Sequence, residues 1–168
     1  SLAAEYPNFY LFKDTSGEDS VALDAELPED LFLVRGAEGD YYRRLEGAGG
    51  PYNGFLLSTA NSFPADLSGI IEAVEERDVE QAKKLSDRLS AVVGEAFAIV
   101  QRLPFGNPFA NANKAVDHFM AYGRKWASAD FPMTHSGERL PAEKMERIGE
   151  LLRSYDMLPE RGYLDEGL

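Results

Sequence analysis

A lysine at the end of an apolar run is the feature of this sequence that most strongly suggests chemistry. Lys13 follows the run Phe9 to Phe12 and precedes Asp14 to Gly17, which are the residue types of a tight turn. A neutral lysine amine can attack a ketone to form an imine, and burial among apolar neighbours lowers the pKa of a lysine. The ordinary alternative is that Lys13 reaches into solvent or lies near a carboxylate such as Asp14.

Three short apolar runs predict the strands that would position this lysine. They are Phe9 to Phe12, Leu31 to Val34 and Gly54 to Leu57. Their starts lie roughly 22 to 23 residues apart, about the length of a strand, a loop and a helix. This spacing predicts βα units in a parallel sheet, with crossover helices at Ser20 to Leu27 and Gly39 to Gly47.

Polar or small residues follow each predicted strand, in the segments Lys13 to Gly17, Arg35 to Gly39 and Ser58 to Asn61. In βα folds the site lies at the carboxyl ends of the strands, so we expect these turns to converge. Ordinary βα turns also need Gly, Ser, Thr and Asn. For Gly36, Gly39 and Thr59 taken singly, a role in forming the turn is therefore favoured over a role in the site. Turn formation does not require a lysine, so it does not explain the presence of Lys13.

The rest of the chain predicts helices. One begins at Pro64, and the next follows a cap at Asp78 and carries an apolar stripe that reaches Leu103. Two more are predicted from about Asn111 to Tyr122 and from about Ala142 to Tyr155.

Composition excludes several classes of function. The 168 residues suffice for one ordinary domain, and the net charge of -12 opposes binding to nucleic acid or to an anionic membrane. The absence of cysteine excludes a disulfide framework, a thiolate zinc site and a cysteine nucleophile. His118 and His135 lack partners at metal-ligand spacing, so no metal site is expected. We expect a cytoplasmic protein.

Five motifs lie in order along the chain. They are Tyr6-Pro7-Asn8 with Phe12 to Gly17, Arg35 to Glu38, Gly54 to Asn61 with Pro64, Asn107-Pro108 with Lys114, and Arg139-Leu140-Pro141. Together they resemble the dihydrodipicolinate synthase and N-acetylneuraminate lyase family of class I pyruvate-dependent aldolases. By this resemblance they correspond, in order, to the family's Schiff-base strand, a glycine-containing turn, the last barrel strand, an Asn-Pro motif and the start of the final helix.

The resemblance implies an α/β fold, the (β/α)8 TIM barrel. Residues 1–103 would supply its last three βα units and a following helix, and residues 104–168 a C-terminal helical extension. The family's pair of hydroxyl residues that holds the pyruvate carboxylate, and its proton-relaying tyrosine, lie in earlier strands and have no counterpart here. We therefore expect a missing N-terminal half of the barrel, on the same or a separate chain. Family members are commonly tetramers, so a homo-oligomer such as a homotetramer is expected.

The resemblance also implies a lyase or aldolase in which Lys13 forms a Schiff base with pyruvate or a 2-keto-3-deoxy acid. A C–C bond would then form or break, or the substrate would be dehydrated, without a cofactor or a metal ion. The residues that would surround the keto acid and its hydroxylated tail are Thr15, Gly36, Glu38, Leu56 and Ser58.

Two other functions are weighed against this one. The half-barrel could be a non-catalytic binding or assembly module in which Lys13 is merely structural. The chain could also be a phosphate-binding βα enzyme, but the sequence lacks the glycine-rich loop that such an enzyme needs.

Overall fold

Three parallel strands form the sheet of this chain, whose computed structural model describes residues 2–24 and 26–164. The strands are β1 (Leu11–Asp14), β2 (Phe32–Arg35) and β3 (Gly54–Phe55), in the order β1-β2-β3. Lys13 pairs in register with Val34, and Val34 pairs with Gly54. The expected mixed α/β fold with a parallel sheet is confirmed, although β1 and β2 begin two residues and one residue later than the sequence predicted.

The described residues divide into two compact units, Ser1–Ser90 and Ala91–Leu168. The first contains the sheet, α1 (Leu2–Glu5), α2 (Tyr41–Arg44), α3 (Pro64–Glu75) and two short 3-10 helices, Glu46–Ala48 and Ser58–Asn61. The boundary falls within α4 (Val79–Val100). The second unit contains α5 (Pro108–Tyr122), a 3-10 helix at Gly123–Ser128 and α6 (Ala142–Ser154). None of the helices among the described residues is both long and apolar enough to cross a membrane.

The first predicted crossover helix, Ser20 to Leu27, is wrong, and the second, Gly39 to Gly47, is a short helix only. The described residues of Ser20 to Leu27 form turns, while Ala25 lies outside the described residues. One reason is that the Asp24 side chain accepts a hydrogen bond from the Glu26 amide at 2.9 Å, which competes with helical hydrogen bonding. Between β2 and β3, the only α-helix of the described chain is the four-residue α2.

The long helices agree with the sequence pattern. Pro64 opens α3, and the carboxylate of Asp78 accepts a hydrogen bond from the Gln81 amide at 3.1 Å at the start of α4. Helix α5 begins at Pro108 rather than near Asn111, because the Asn107 side chain accepts hydrogen bonds from the first turn and caps the helix.

Within the described residues, one face of the sheet is covered, whereas the other is exposed at Leu11, Lys13 and Phe32 but buried at Val34. The covered face buries a cluster made by Ala22, Leu31, Leu33 and Tyr52, with Phe9, Phe12 and Leu27 packed against it. Alternate residues of a strand point to opposite faces, and on the other side Leu11 and Phe32 are 43% and 48% exposed. Lys13 shares that side and is also exposed. The expectation that apolar burial surrounds Lys13 is therefore not met by this chain.

The second unit is organised around the contact between α5 and α6. Phe119 on α5 and Ile148 and Leu152 on α6 are fully buried. Gly149 allows the close approach, since a Cβ atom there would lie 2.9 Å from Phe119 Cε1. Burial of these side chains removes apolar surface from water and stabilises the helix pair.

Replacing Ile148 by Ala tests this packing. Deleting a buried aliphatic side chain removes apolar contacts and leaves a cavity, so we expect the free energy of unfolding to fall by roughly 2–5 kcal/mol. Urea denaturation followed by circular dichroism measures the change. Glu146→Ala, at an exposed position of the same helix, is the matched control and is expected to change stability by less than about 0.5 kcal/mol.

Candidate active site

Lys13 lies beside the backbone of Gly36 at the carboxyl edge of the sheet. A Cβ atom added to Gly36 would collide with Cε of Lys13 and would lie 2.5 Å from the Thr15 hydroxyl oxygen. The Gly36 amide also donates a hydrogen bond to the Asp14 carbonyl oxygen at 2.6 Å. The structure thus brings Lys13, Thr15 and Gly36 together, and the small size of Gly36 is what permits their approach.

Asp14 faces away from Lys13 and shapes the turn that follows β1. It is only 5% exposed, and successive strand residues point to opposite faces of a sheet. Its Oδ1 accepts hydrogen bonds from the Ser16 amide at 2.9 Å and from the Ser16 hydroxyl at 2.6 Å. This local turn fixes the chain just beyond the lysine, so Asp14 acts here as a turn residue.

A buried ion pair holds the turn that contains Gly36. Arg35 and Asp19 are 4% and 2% exposed, and Arg35 Nε lies 3.4 Å from Asp19 Oδ1. Nη1 of Arg35 donates hydrogen bonds to the carbonyl oxygens of Ala37 at 2.8 Å and Gly39 at 2.6 Å. Arg35 therefore ties the turn after β2 to the segment that connects β1 with β2.

Two further groups complete the surroundings of Asp19. Its Oδ1 accepts a hydrogen bond from the Tyr52 hydroxyl at 2.7 Å, and its Oδ2 pairs with the Arg44 guanidinium. Burial works to raise the pKa of Asp19, but the Tyr52 hydrogen bond and the charges of Arg35 and Arg44 outweigh it and lower that pKa. Burial, followed by the interaction with Asp19, raises the pKa of Tyr52, which remains a hydrogen-bond donor.

The carboxylate of Glu38 joins the ends of β2 and β3. Its Oε1 accepts hydrogen bonds from the Thr59 hydroxyl at 2.5 Å and from the Thr59 amide at 3.3 Å. Its Oε2 accepts a hydrogen bond from the Tyr41 hydroxyl at 2.8 Å. Tyr41 is fully buried, and burial followed by the nearby Glu38 charge raises its pKa, so it stays protonated.

Leu56 and Ser58 follow β3 at the same edge of the sheet. The Leu56 amide donates to the Arg35 carbonyl oxygen at 2.9 Å, and the Leu56 side chain is 52% exposed. Ser58 begins a 3-10 helix and is exposed. Thr15 and Gly36 are thus placed beside Lys13 by contact, whereas strand pairing places Glu38, Leu56 and Ser58 at this edge.

His118 is packed into the second unit. It is buried, its Nε2 lies 2.8 Å from the Trp126 carbonyl oxygen, and its ring packs against Tyr122 and Phe131. Within residues 2–24 and 26–164, no group of three His, Asp or Glu side chains is arranged to hold a metal ion.

The comparisons with known proteins concern the fold. No family model matches this sequence, and neither does any curated protein. Among solved structures, the crystal structure of dihydrodipicolinate synthase from Aquifex aeolicus is similar, with a TM-score of 0.59 and 17% identity over 95% of this chain. In fold, the chain resembles half of that enzyme. It spans 50% of the length of the synthase chain, which supports a partial TIM-barrel fold.

The Asp19→Asn variant tests the buried pair through its pH dependence. The folded chain holds the pKa of Asp19 below its ordinary value of 3.8. Ionised Asp19 therefore stabilises the fold fully above that pH, and this contribution is lost as the pH falls through the folded pKa. We expect the free energy of unfolding of the unsubstituted protein to fall more steeply in this acid range than that of Asp19→Asn.

Urea denaturation between about pH 5 and about pH 2 measures both slopes. Near neutral pH the variant is expected to be less stable by roughly 3–5 kcal/mol, because Arg35 loses its buried partner. If the free energy of unfolding falls equally steeply with pH in the two proteins, the assignment of the ionised pair is wrong.

Proposed function

We propose that this chain is the C-terminal part of a Schiff-base lyase or aldolase of the dihydrodipicolinate synthase family. Lys13 is the proposed nucleophile, and its substrate is pyruvate or a 2-keto-3-deoxy acid. The approach of Lys13, Thr15 and Gly36 at the carboxyl edge of a parallel sheet supports the proposal most strongly. The likeness in fold to half of a dihydrodipicolinate synthase supports it further.

The proposed chemistry begins when the neutral Nζ of Lys13 attacks the keto carbon of the substrate. Loss of water gives a protonated imine at C2. The hydroxyl group on C4 then loses its proton as the C3–C4 bond breaks, and the electron pair of that bond moves toward the imine to form an enamine. An aldehyde leaves, the resulting enamine takes up a proton, and hydrolysis of the imine releases pyruvate and regenerates the lysine. The same steps in reverse form the bond.

Exposed apolar side chains on the Lys13 face of the sheet support the proposal that another half completes the barrel. Leu11 and Phe32 are exposed beside Lys13, and the chain spans 50% of the similar synthase chain. In the proposed enzyme, five further βα units cover this face, bury Lys13 and bind the carboxylate of the keto acid. They belong to the same chain or to a separate one, and the completed protein is proposed to form a homo-oligomer such as a tetramer.

The remaining proposed contacts follow from placement at the sheet edge. Thr15 and Gly36 adjoin the lysine side chain, and we assign them to the keto acid itself. Glu38, Leu56 and Ser58 lie after β2 and β3, and we assign them to the part of the substrate beyond the keto group.

Borohydride reduction in the presence of pyruvate tests the nucleophile. In the complete protein, we expect a reduced pyruvate adduct on the peptide that contains Lys13, located by mass spectrometry of a digest. Lys13→Ala is expected to abolish the adduct, while Lys114→Ala, in which another lysine is removed, keeps it. Absence of the adduct from the unsubstituted protein would show that the assignment is wrong.

Gly36→Ala tests the packing around the lysine. The added methyl group would overlap Lys13 Cε and crowd the Thr15 hydroxyl, so the amine must shift from its position. A displacement of about 1 Å costs on the order of a hundredfold in rate, and we expect a loss of that size in the rate of adduct formation. Gly94→Ala is the matched control, because its methyl group meets no atom within 4 Å among the described residues.

A non-catalytic binding or assembly module is the second candidate function. The exposure of Lys13 and of the apolar side chains of Leu11 and Phe32 on the same sheet face favours it, since such a face can serve association alone. Unchanged activity of the complete protein after Lys13→Ala would support this module and oppose the lyase.

A further inference from the structure

We propose that Thr59 is a positioning residue, which with Tyr41 fixes the Glu38 carboxylate so that it discriminates between substrates beyond the keto group. This inference rests on the proposed function, in which Glu38 faces that part of the substrate. Thr59 itself is 2% exposed, so it acts through Glu38 rather than by touching the substrate.

The hydrogen bonds hold both oxygens of Glu38. Thr59 supplies two donors to Oε1, its hydroxyl at 2.5 Å and its amide at 3.3 Å. Tyr41 supplies its hydroxyl to Oε2 at 2.8 Å. A glutamate side chain otherwise samples many rotamers, and three donors from two buried residues restrict it to one orientation.

The donors are themselves built into the fold. The Thr59 carbonyl oxygen accepts hydrogen bonds from the Ser62 amide at 3.0 Å and the Phe63 amide at 2.9 Å, immediately before α3. Tyr41 opens α2, and its ring packs edge-on against Phe55 of β3 with centroids 5.7 Å apart. Glu38 is therefore clamped between the ends of two neighbouring strands by groups that cannot easily move.

The hydrogen bonds from Thr59 and Tyr41 leave Glu38 with little remaining hydrogen-bonding capacity. An ionised carboxylate has about four lone-pair sites and no donor, and three of those sites are occupied. Both donors on Oε1 come from Thr59, so the remaining site lies on Oε2. A substrate group at this position must donate a hydrogen bond, as a hydroxyl group does, and a carboxylate or phosphate group would be repelled.

Thr59→Val removes the hydroxyl and keeps the shape of the side chain. The assay is the condensation of pyruvate by the complete protein with glyceraldehyde, which bears hydroxyl groups, or with propanal, which lacks them. We expect the variant to lower kcat/KM for glyceraldehyde by about 10- to 100-fold, as loss of a hydrogen bond to a charged group predicts. The change is expected mainly in KM. Because kcat/KM for propanal should change much less, the ratio of kcat/KM for glyceraldehyde to that for propanal, which measures discrimination, is expected to fall.

Two further variants distinguish positioning from stability. Thr59→Ser retains the hydroxyl and is expected to restore discrimination. Thr134→Val is the matched control in the second unit, where the Thr134 hydroxyl donates to Glu138 at 2.7 Å and Thr134 is 8% exposed. This variant also loses a hydrogen bond from a buried threonine to a glutamate, so thermal denaturation should show a loss of stability without any change in discrimination.

The outcomes separate this inference from the proposed function. If borohydride trapping on Lys13 persists but Thr59→Val discriminates like the unsubstituted protein, the positioning role is wrong and the lyase assignment stands. The inference is also wrong if the unsubstituted protein does not prefer glyceraldehyde. If the unsubstituted protein gives no adduct, the positioning role and the lyase assignment are both wrong. Should Thr59→Val fail to fold, Tyr41→Phe removes the donor on Oε2, and unchanged discrimination in that variant overturns the inference.

Discussion

The buried ion pair between Arg35 and Asp19 is the constraint on which the candidate site depends. Charges removed from water are destabilising unless other charges and hydrogen bonds satisfy them. Here the guanidinium of Arg35 neutralises Asp19 and also holds the carbonyl oxygens of Ala37 and Gly39. The turn beside Lys13 therefore cannot move freely without leaving buried charge unsatisfied. The ion pair thereby holds the turn in which Gly36 lies beside the lysine.

The two faces of β1 carry groups with different tasks. On the covered face, Asp14 is buried and forms a turn with Ser16. On the open face, one residue earlier, Lys13 is exposed beside Gly36. The alternation of a strand thus separates a group that fixes the backbone from a group available to react. Glu38 lies at the same sheet edge, where the ends of β2 and β3 meet through Thr59.

The sequence predicted those features that arise from local pattern. The parallel sheet and α3 to α6 follow from apolar spacing, and the approach of Gly36 to Lys13 follows from the rule for strand ends. The pairing of Arg35 with Asp19 was missed, because partners 16 residues apart leave no periodic signal. The contact of Thr59 with Glu38, 21 residues away, likewise leaves no periodic signal, so the sequence indicated only a turn residue at Thr59. The exposure of Lys13 depends on what covers the sheet, which local pattern does not specify.

The backbone angle at Asp19 restricts which residues can replace it. Its φ angle is 56°, in the left-handed region that aspartate, asparagine and glycine tolerate better than other residues. Glycine would relieve the strain but leave Arg35 without a partner, asparagine would lack the charge, and glutamate would place its longer chain on an unfavourable backbone. Aspartate meets both demands, so each of these three replacements at Asp19 would give up either the favourable backbone conformation or the charged partner of Arg35.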